Sequence, residues 1–322
     1  ACTGRDARFP NLSVLNLQRL ARSGGPYFFW RYAMAPFFFF DFTIDKSAMP
    51  PVGEIPEQVF KEPEPVTVQN NLCPYPIPKT DDIVKDIEKA AYAVDPSKFV
   101  SDLFECGAIA ISNAVDLAQK DKREEKYLQI IRSYKPDQQK KIAEIFAKVY
   151  ALLASVVYDN GKFNDNLGEI FMRCNLGNKN TGQFFTPYHI SEFMARVIID
   201  ETLVKEKTAA NGILTISDPC CGGGGMLIAA LEVLKSLGVN YARNCFMEAN
   251  DVDLRCVHMT YLQLALAGVP AIVRHQNTLT RECWSSWYTP AYLFQYLRFR
   301  KFDNPYDNHN PHDQRRTAHA KT

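Results

Sequence analysis

The sequence has almost no charge imbalance: 37 Lys and Arg stand against 36 Asp and Glu, a formal net charge of +1. A domain that grips nucleic acid unaided is usually clearly basic, so work on DNA would call for a partner that supplies phosphate contacts. C-x-x-C pairs are lacking although nine cysteines are present, which argues against a zinc ribbon or a thioredoxin-like site; no metal is expected. Reduced thiols and a cytoplasmic setting are the simplest reading, and the adjacent Cys220 and Cys221 would bridge only with strain. Apolar runs long enough for a membrane are also lacking. The aromatic stretch Pro26 to Phe42 is shorter than the roughly 20 residues a spanning helix needs, and Arg31 and Pro36 interrupt it. It has no small-residue cleavage site of the signal-peptide kind. Residue 1 is Ala, so the chain is expected to be a fragment or to carry extra upstream residues, with residues 1–45 peripheral to the function.

What is present is enough apolar material for a sizeable core, at 46 % of 322 residues, and room for two domains. Prolines at 50, 51, 56, 63, 65, 74, 76 and 78 make residues 44–80 an extended linker, because proline blocks helix and central strand alike. Helical signals follow. Thr80-Asp81-Asp82 can cap a helix through Ile83, Ile87 and Ala91; Asp95-Pro96 starts a second, with Phe99 and Leu103 on one face; Pro136 opens a third, with Ile142, Phe146 and Leu153 aligned. Lys120, Lys122, Arg123 and Lys126 are interleaved with Glu124 and Glu125, the pattern of a solvated face.

After Gly182 the pattern changes to strand–helix–strand–helix–strand: Ile213 to Ile216, Met226 to Leu237, Cys245 to Met247 ending at Asn250-Asp251, Leu254 to Ala267, and Ala271 to Val273. Such alternation predicts an α/β fold with a parallel sheet and right-handed crossovers. Four segments result: an irregular Pro- and aromatic-rich extension and linker over 1–80, a helical domain over 81–178, a cofactor-binding core over 179–290, and a polar tail over 291–322.

The chemistry concentrates in Asp218-Pro219-Cys220-Cys221-Gly222-Gly223-Gly224-Gly225, between a strand and a helix. Glycines let backbone approach a ligand with no Cβ in the way, and a helix N-terminus offers free N–H groups. The dinucleotide pattern G-x-G-x-x-G fails because Leu227 stands where the third glycine belongs, and no Gly-Lys-Ser/Thr follows to make a phosphate loop. An acid at the strand end suits a cationic ligand, and Asp218 could face the amino group of a methionine moiety. A purely structural glycine turn is the alternative. Asp251 ends the next strand, where a ribose presents its hydroxyls. Asp253 is expected to cap the helix at Leu254. Asn277 ends the third strand and could read an adenine ring, although a strand-end Asn is more often a turn residue. Upstream lies Gly182-Gln183-Phe184-Phe185-Thr186-Pro187, where Thr186 can cap a helix with Pro187 in its first turn.

Taken in order, Gly182 to Met194 and Asp218 to Met226 resemble the modification subunits of type I restriction systems and related adenine-specific N6 DNA methylases. The resemblance covers roughly residues 100–280. It implies a helical N-terminal domain before a partial Rossmann-like methyltransferase core, S-adenosylmethionine as cofactor, DNA as substrate, and a specificity or other methylase subunit as partner. It further implies that Phe184, Phe185, Thr186 and Pro187 line the cofactor site, that Asp218, Cys220, Gly222 and Gly224 hold the methionine end, that Asp251 is the ribose acid, and that Asn277 stands where the family usually has Asp.

One part departs from the family. Its catalytic N-P-P-F/Y motif has a single counterpart, Asn304-Pro305-Tyr306, with one proline instead of two, and the surroundings read as an irregular tail. Where the motif is intact, its Asn and a proline carbonyl hold the adenine amino group while the aromatic ring stacks on the flipped base. Only 45 residues follow Asn277, too few for four more strands with their helices, so the core is expected to be cut short. Trp284, Trp287 and Tyr288 are expected to cover the exposed side of the sheet, with stacking on a base or a partner as the alternative.

Overall fold

The computed structural model describes residues 77–91, 94–158, 161–174 and 185–299. Five helices come first: α1 (Thr80–Ala91), α2 (Pro96–Asn113), α3 (Lys120–Arg132), α4 (Pro136–Tyr158) and α5 (Asn166–Arg173). Local chemistry sets their starts. Asp95 caps α2 by accepting the Ser97 N–H at 3.1 Å, with Pro96 in the first turn, and Asp165 caps α5 by accepting the Gly168 N–H at 2.9 Å. Phe99, Leu103, Ile142, Phe146 and Leu153 are buried, as their spacing predicts. Gly107 lets α2 and α4 close together, for a Cβ there would lie 2.0 Å from the Phe146 ring.

The α/β part follows: α6 (Tyr188–Ile198), α7 (Glu201–Asn211), β1 (Leu214–Asp218), α8 (Gly225–Ser236), α9 (Tyr241–Asn244), β2 (Cys245–Asp251), α10 (Leu254–Ala267), β3 (Ala271–Asn277), β4 (Glu282–Tyr288), α11 (Pro290–Phe294) and α12 (Tyr296–Phe299). The described sheet has the order β1-β2-β3-β4. The first three strands are parallel, with Asp218 opposite Ala249 and Asp251 opposite His275, so Asp218, Asp251 and Asn277 share one edge of the sheet. The three parallel strands are the ones expected; the fourth, which the sequence reading did not include, is antiparallel to β3. Its alternation is hidden by Ser285-Ser286 in mid-strand. Trp287 and Tyr288 are buried, but Trp284, expected as cover, is 41 % exposed beside the His275 ring.

Helix α10 is enclosed on two sides by described elements. Every residue from Cys256 to Ala267 is buried, because β2 and β3 lie on one side and α2, α4 and α5 pack on the other. Apolar residues predominate along it, as befits an enclosed helix, with His258, Thr260 and Gln263 buried among them. Helix α6 lays the small Ser191 and Ala195 inward, packs on α8, and exposes Phe193 and Val197. On the far face of the sheet Ile213, Phe246, Ile272, Tyr288, Tyr292 and Phe299 form a core cluster. Residues 291–299 therefore do not start a polar tail: they form α11 and α12, with Tyr292 and Phe299 fully buried.

The Lys-rich segment also differs from expectation. Lys120, Lys122 and Lys126 are exposed, but Arg123 is buried. Its guanidinium meets the Asp116 carboxylate at 2.8 Å, donates to the Ser286 carbonyl at 2.9 Å, and lies 4.0 Å from the Trp287 ring centroid. This cation joins α3 to the last strand of the sheet.

Candidate cofactor site

Strand β1 delivers Asp218 to the sheet edge, and the chain then turns into α8. The Asp218 carboxylate accepts the Cys220 N–H at 3.1 Å. The turn needs left-handed backbone at Gly222 (φ +53°) and Gly224 (φ +91°), the second being the N-cap of α8. It is pinned to the next strand twice. The Cys221 N–H donates to the Asn250 carbonyl, and the Gly222 N–H donates to the Asp251 carboxylate, both at 2.9 Å. The other Asp251 oxygen accepts the Asp253 N–H at 2.8 Å, and Asp253 caps α10 through the Arg255 N–H as expected. At the end of β3, the Thr278 hydroxyl donates to the Pro219 carbonyl.

Phe185 packs on this turn. The Phe185 ring lies against Gly222, where a Cβ would come within 3.2 Å of it, and reaches Gly223 as well. Phe171 of α5 backs Phe185 at a centroid separation of 5.2 Å. Thr186 and Pro187 are exposed. Pro187, not Thr186, is the N-cap of α6: its carbonyl takes the Ile190 N–H at 2.9 Å and no side chain caps the helix, so the capping role expected of Thr186 is corrected. Asn277 does the work of a turn residue, its side-chain oxygen accepting the Leu279 and Thr280 N–H groups at 3.0 and 3.2 Å. Phe184, Asn304, Pro305 and Tyr306 lie outside the described residues.

Electrostatically the site is acidic. Burial pushes both the Asp218 and Asp251 carboxyls above the usual range, and for Asp218 the nearby Asp251 charge adds to the rise. No ion pair among the described residues involves either acid; Asp253, two residues on, takes Arg255. Two half-buried carboxyls beside an open-backboned turn favour a ligand that brings positive charge. No group of three His, Cys, Asp or Glu among the described residues could hold a metal, and no described helix is long and apolar enough to cross a membrane.

The sequence reading missed a second tier beneath the turn. Asp165 is buried, and its carboxylate accepts from Gly168 N–H and, at 2.8 Å, from the Gln263 side chain on α10. Gln263 also donates to the Gly223 carbonyl at 2.7 Å. Burial raises the Asp165 carboxyl above its ordinary range. The signal available in the sequence was the capping spacing Asp165-x-x-Gly168.

A parallel β–glycine turn–α–β unit with acids at two strand ends and Phe185 packed on the turn defines a partial Rossmann-like methyltransferase core. Residues 164–314 match the model of the N-6 DNA Methylase family, a stretch that takes in α5, Phe185 and every described strand of the sheet. No curated protein matches the chain.

Proposed function

We propose that this chain binds S-adenosylmethionine beside the Gly222–Gly224 turn, next to Phe185, and that it serves the adenine-N6 methylation of DNA. The observation that carries the reading is the packing of Phe185 on Gly222, whose N–H is held by Asp251. Two motifs 33 residues apart meet in one place, as a composite cofactor site requires (Phe185 to Asp218). The residues suit the cofactor. Asp218 faces a cationic amino acid end, Asp251 offers a carboxylate to ribose hydroxyls, and the left-handed glycines carry the backbone through a turn that an L side chain would strain. The bound cofactor supplies an electrophilic methyl on a sulfonium. The chain's own part is to hold that group in line with an incoming nitrogen, and positioning of this kind accounts for much of the catalysis. Asn304, Pro305 and Tyr306 are the residues proposed to receive the flipped adenine. Near-neutral charge fits a partner, such as a specificity or second methylase subunit of a restriction-modification system, that supplies most of the phosphate contact. A cytoplasmic location belongs to the same reading.

A second reading rests on the single proline of Asn304-Pro305-Tyr306: cofactor binding without turnover, in a regulatory or interaction subunit. One experiment separates the two. The full chain, DNA and methyl-labelled S-adenosylmethionine are combined with and without proteins encoded beside it. Label in N6-methyladenine that disappears with Asn304→Ala supports the enzyme; cofactor binding with no label under either condition supports the second reading and overturns the first.

A further inference from the structure

Below the glycine turn a buried amide ties together three separate segments. The Gln263 side chain, 3 % exposed on α10, donates to the Gly223 carbonyl at 2.7 Å and to the Asp165 carboxylate at 2.8 Å. Asp165, 6 % exposed, stands at the start of α5, and its second oxygen lies against the start of α8: a Cβ at Gly225 would come within 2.8 Å of it. Gly168 is bare for the same reason, since a Cβ there would sit 2.2 Å from Asp165. Capping α5 needs only the Gly168 N–H. It does not need a carboxylate reaching a glutamine 98 residues away, nor that glutamine reaching the turn.

We infer that Asp165 and Gln263 are positioning residues of the cofactor site: together they fix the Gly223 carbonyl, and so the left-handed turn on which the cofactor lies. The inference rests on the S-adenosylmethionine reading above. The physical reason is that a run of four glycines has no side chains with which to anchor itself and loses more backbone freedom on ordering than any other sequence. An amide from α10, held by a carboxylate from α5, supplies the missing anchor. Without the Gln263 donor the buried Gly223 carbonyl has lost its hydrogen bond, and the turn must reach for water. Neither residue touches the ligand; both act through the turn.

The test uses the full chain with two readouts: S-adenosylmethionine affinity by calorimetry, and amide hydrogen exchange over residues 219–228 in the ligand-free protein. Gln263→Leu is expected to weaken binding at least tenfold and to speed exchange in the turn while exchange in α6 stays unchanged. Should that variant fail to fold, a pair at Asp165 carries the test. Asp165→Asn keeps an oxygen that can accept from both Gly168 and Gln263, and is expected to bind like the parent. Asp165→Ser keeps the helix cap but is too short to reach Gln263, and is expected to behave like Gln263→Leu. If the serine variant binds and exchanges like the parent, Asp165 is a cap and the inference is overturned. If the parent itself binds no S-adenosylmethionine, the functional reading fails. The clamp is then judged by exchange alone, and an unchanged turn in the variants overturns it.

Discussion

The Asp251 carboxylate accepts the Gly222 N–H at 2.9 Å, so the acid at the end of β2 is part of the turn that follows β1. Its other oxygen holds the Asp253 N–H that starts α10. One side chain therefore sets the spacing between two strand ends as well as offering charge to a ligand. Asp251→Ala removes two hydrogen bonds to a charged acceptor, each worth about 1.5–3 kcal/mol. The expected result is a loss of S-adenosylmethionine affinity of tenfold or more, with Asp251→Asn intermediate because it keeps one acceptor oxygen. Calorimetric titration of the three proteins checks the order.

Gly222 combines left-handed backbone with a close neighbour, so a side chain there is strained twice over. Its left-handed backbone costs an L residue about 1–2 kcal/mol, and the new Cβ would press on Phe185 at 3.2 Å. Gly222→Ala should lower the unfolding midpoint by several degrees and weaken cofactor binding further than that loss of stability alone implies. Gly238, also left-handed but with open space around it, is the control: Gly238→Ala should carry the backbone cost and leave binding unchanged.

The acids predict a pH dependence. Burial raises the carboxyls of Asp165, Asp218 and Asp251. Their folded pKa values lie above the unfolded ones, so the folded chain keeps protons that the unfolded chain has released. Stability conferred by these groups is greatest below the unfolded pKa and declines as pH rises through the interval between the two. A cationic ligand favours the ionised forms of Asp218 and Asp251, so its affinity should rise over that interval and level off above it. Thermal unfolding and titrations between about pH 4 and 7 measure both slopes. An affinity that falls with pH over this range would contradict the assignment of charge at the site.

Arg123 predicts the cost of separating the helices from the sheet. Arg123→Met keeps apolar volume but leaves the buried Asp116 without this cation and removes the donor to the Ser286 carbonyl. Breaking one side of a buried pair costs about 3–5 kcal/mol. Denaturant unfolding should show a loss of that size, whereas Lys122→Met on the exposed face of the same helix should fall within about 0.5 kcal/mol of the parent.

Local pattern made much of this legible in the sequence. Leu254 to Ala267 reads as a helix behind its Asp253 cap, and that is its observed extent, with Gly268 as the C-cap. Asp218 and Asp251 read as strand ends because apolar strands run into them. What escaped depends on partners distant in sequence. Arg123 looks solvated beside Glu124 and Glu125, and only the arrival of Ser286, 163 residues later, buries it. Asp165 looks like an ordinary cap until Gln263 reaches it. Strand β4 was hidden by its two serines, one of which, Ser286, presents its carbonyl to Arg123. Thr186 had the composition of a cap, but Pro187 at the following position took that place.

The central claim is that S-adenosylmethionine lies against the Gly222–Gly224 turn beside Phe185. Ultraviolet cross-linking of the methyl-labelled cofactor to the full chain, followed by peptide mapping, tests it most directly. The account predicts label in peptides spanning 185–190 or 218–226, displaced by excess unlabelled cofactor and lost in Asp251→Ala. Label confined to other peptides, or none on a folded chain, would contradict it.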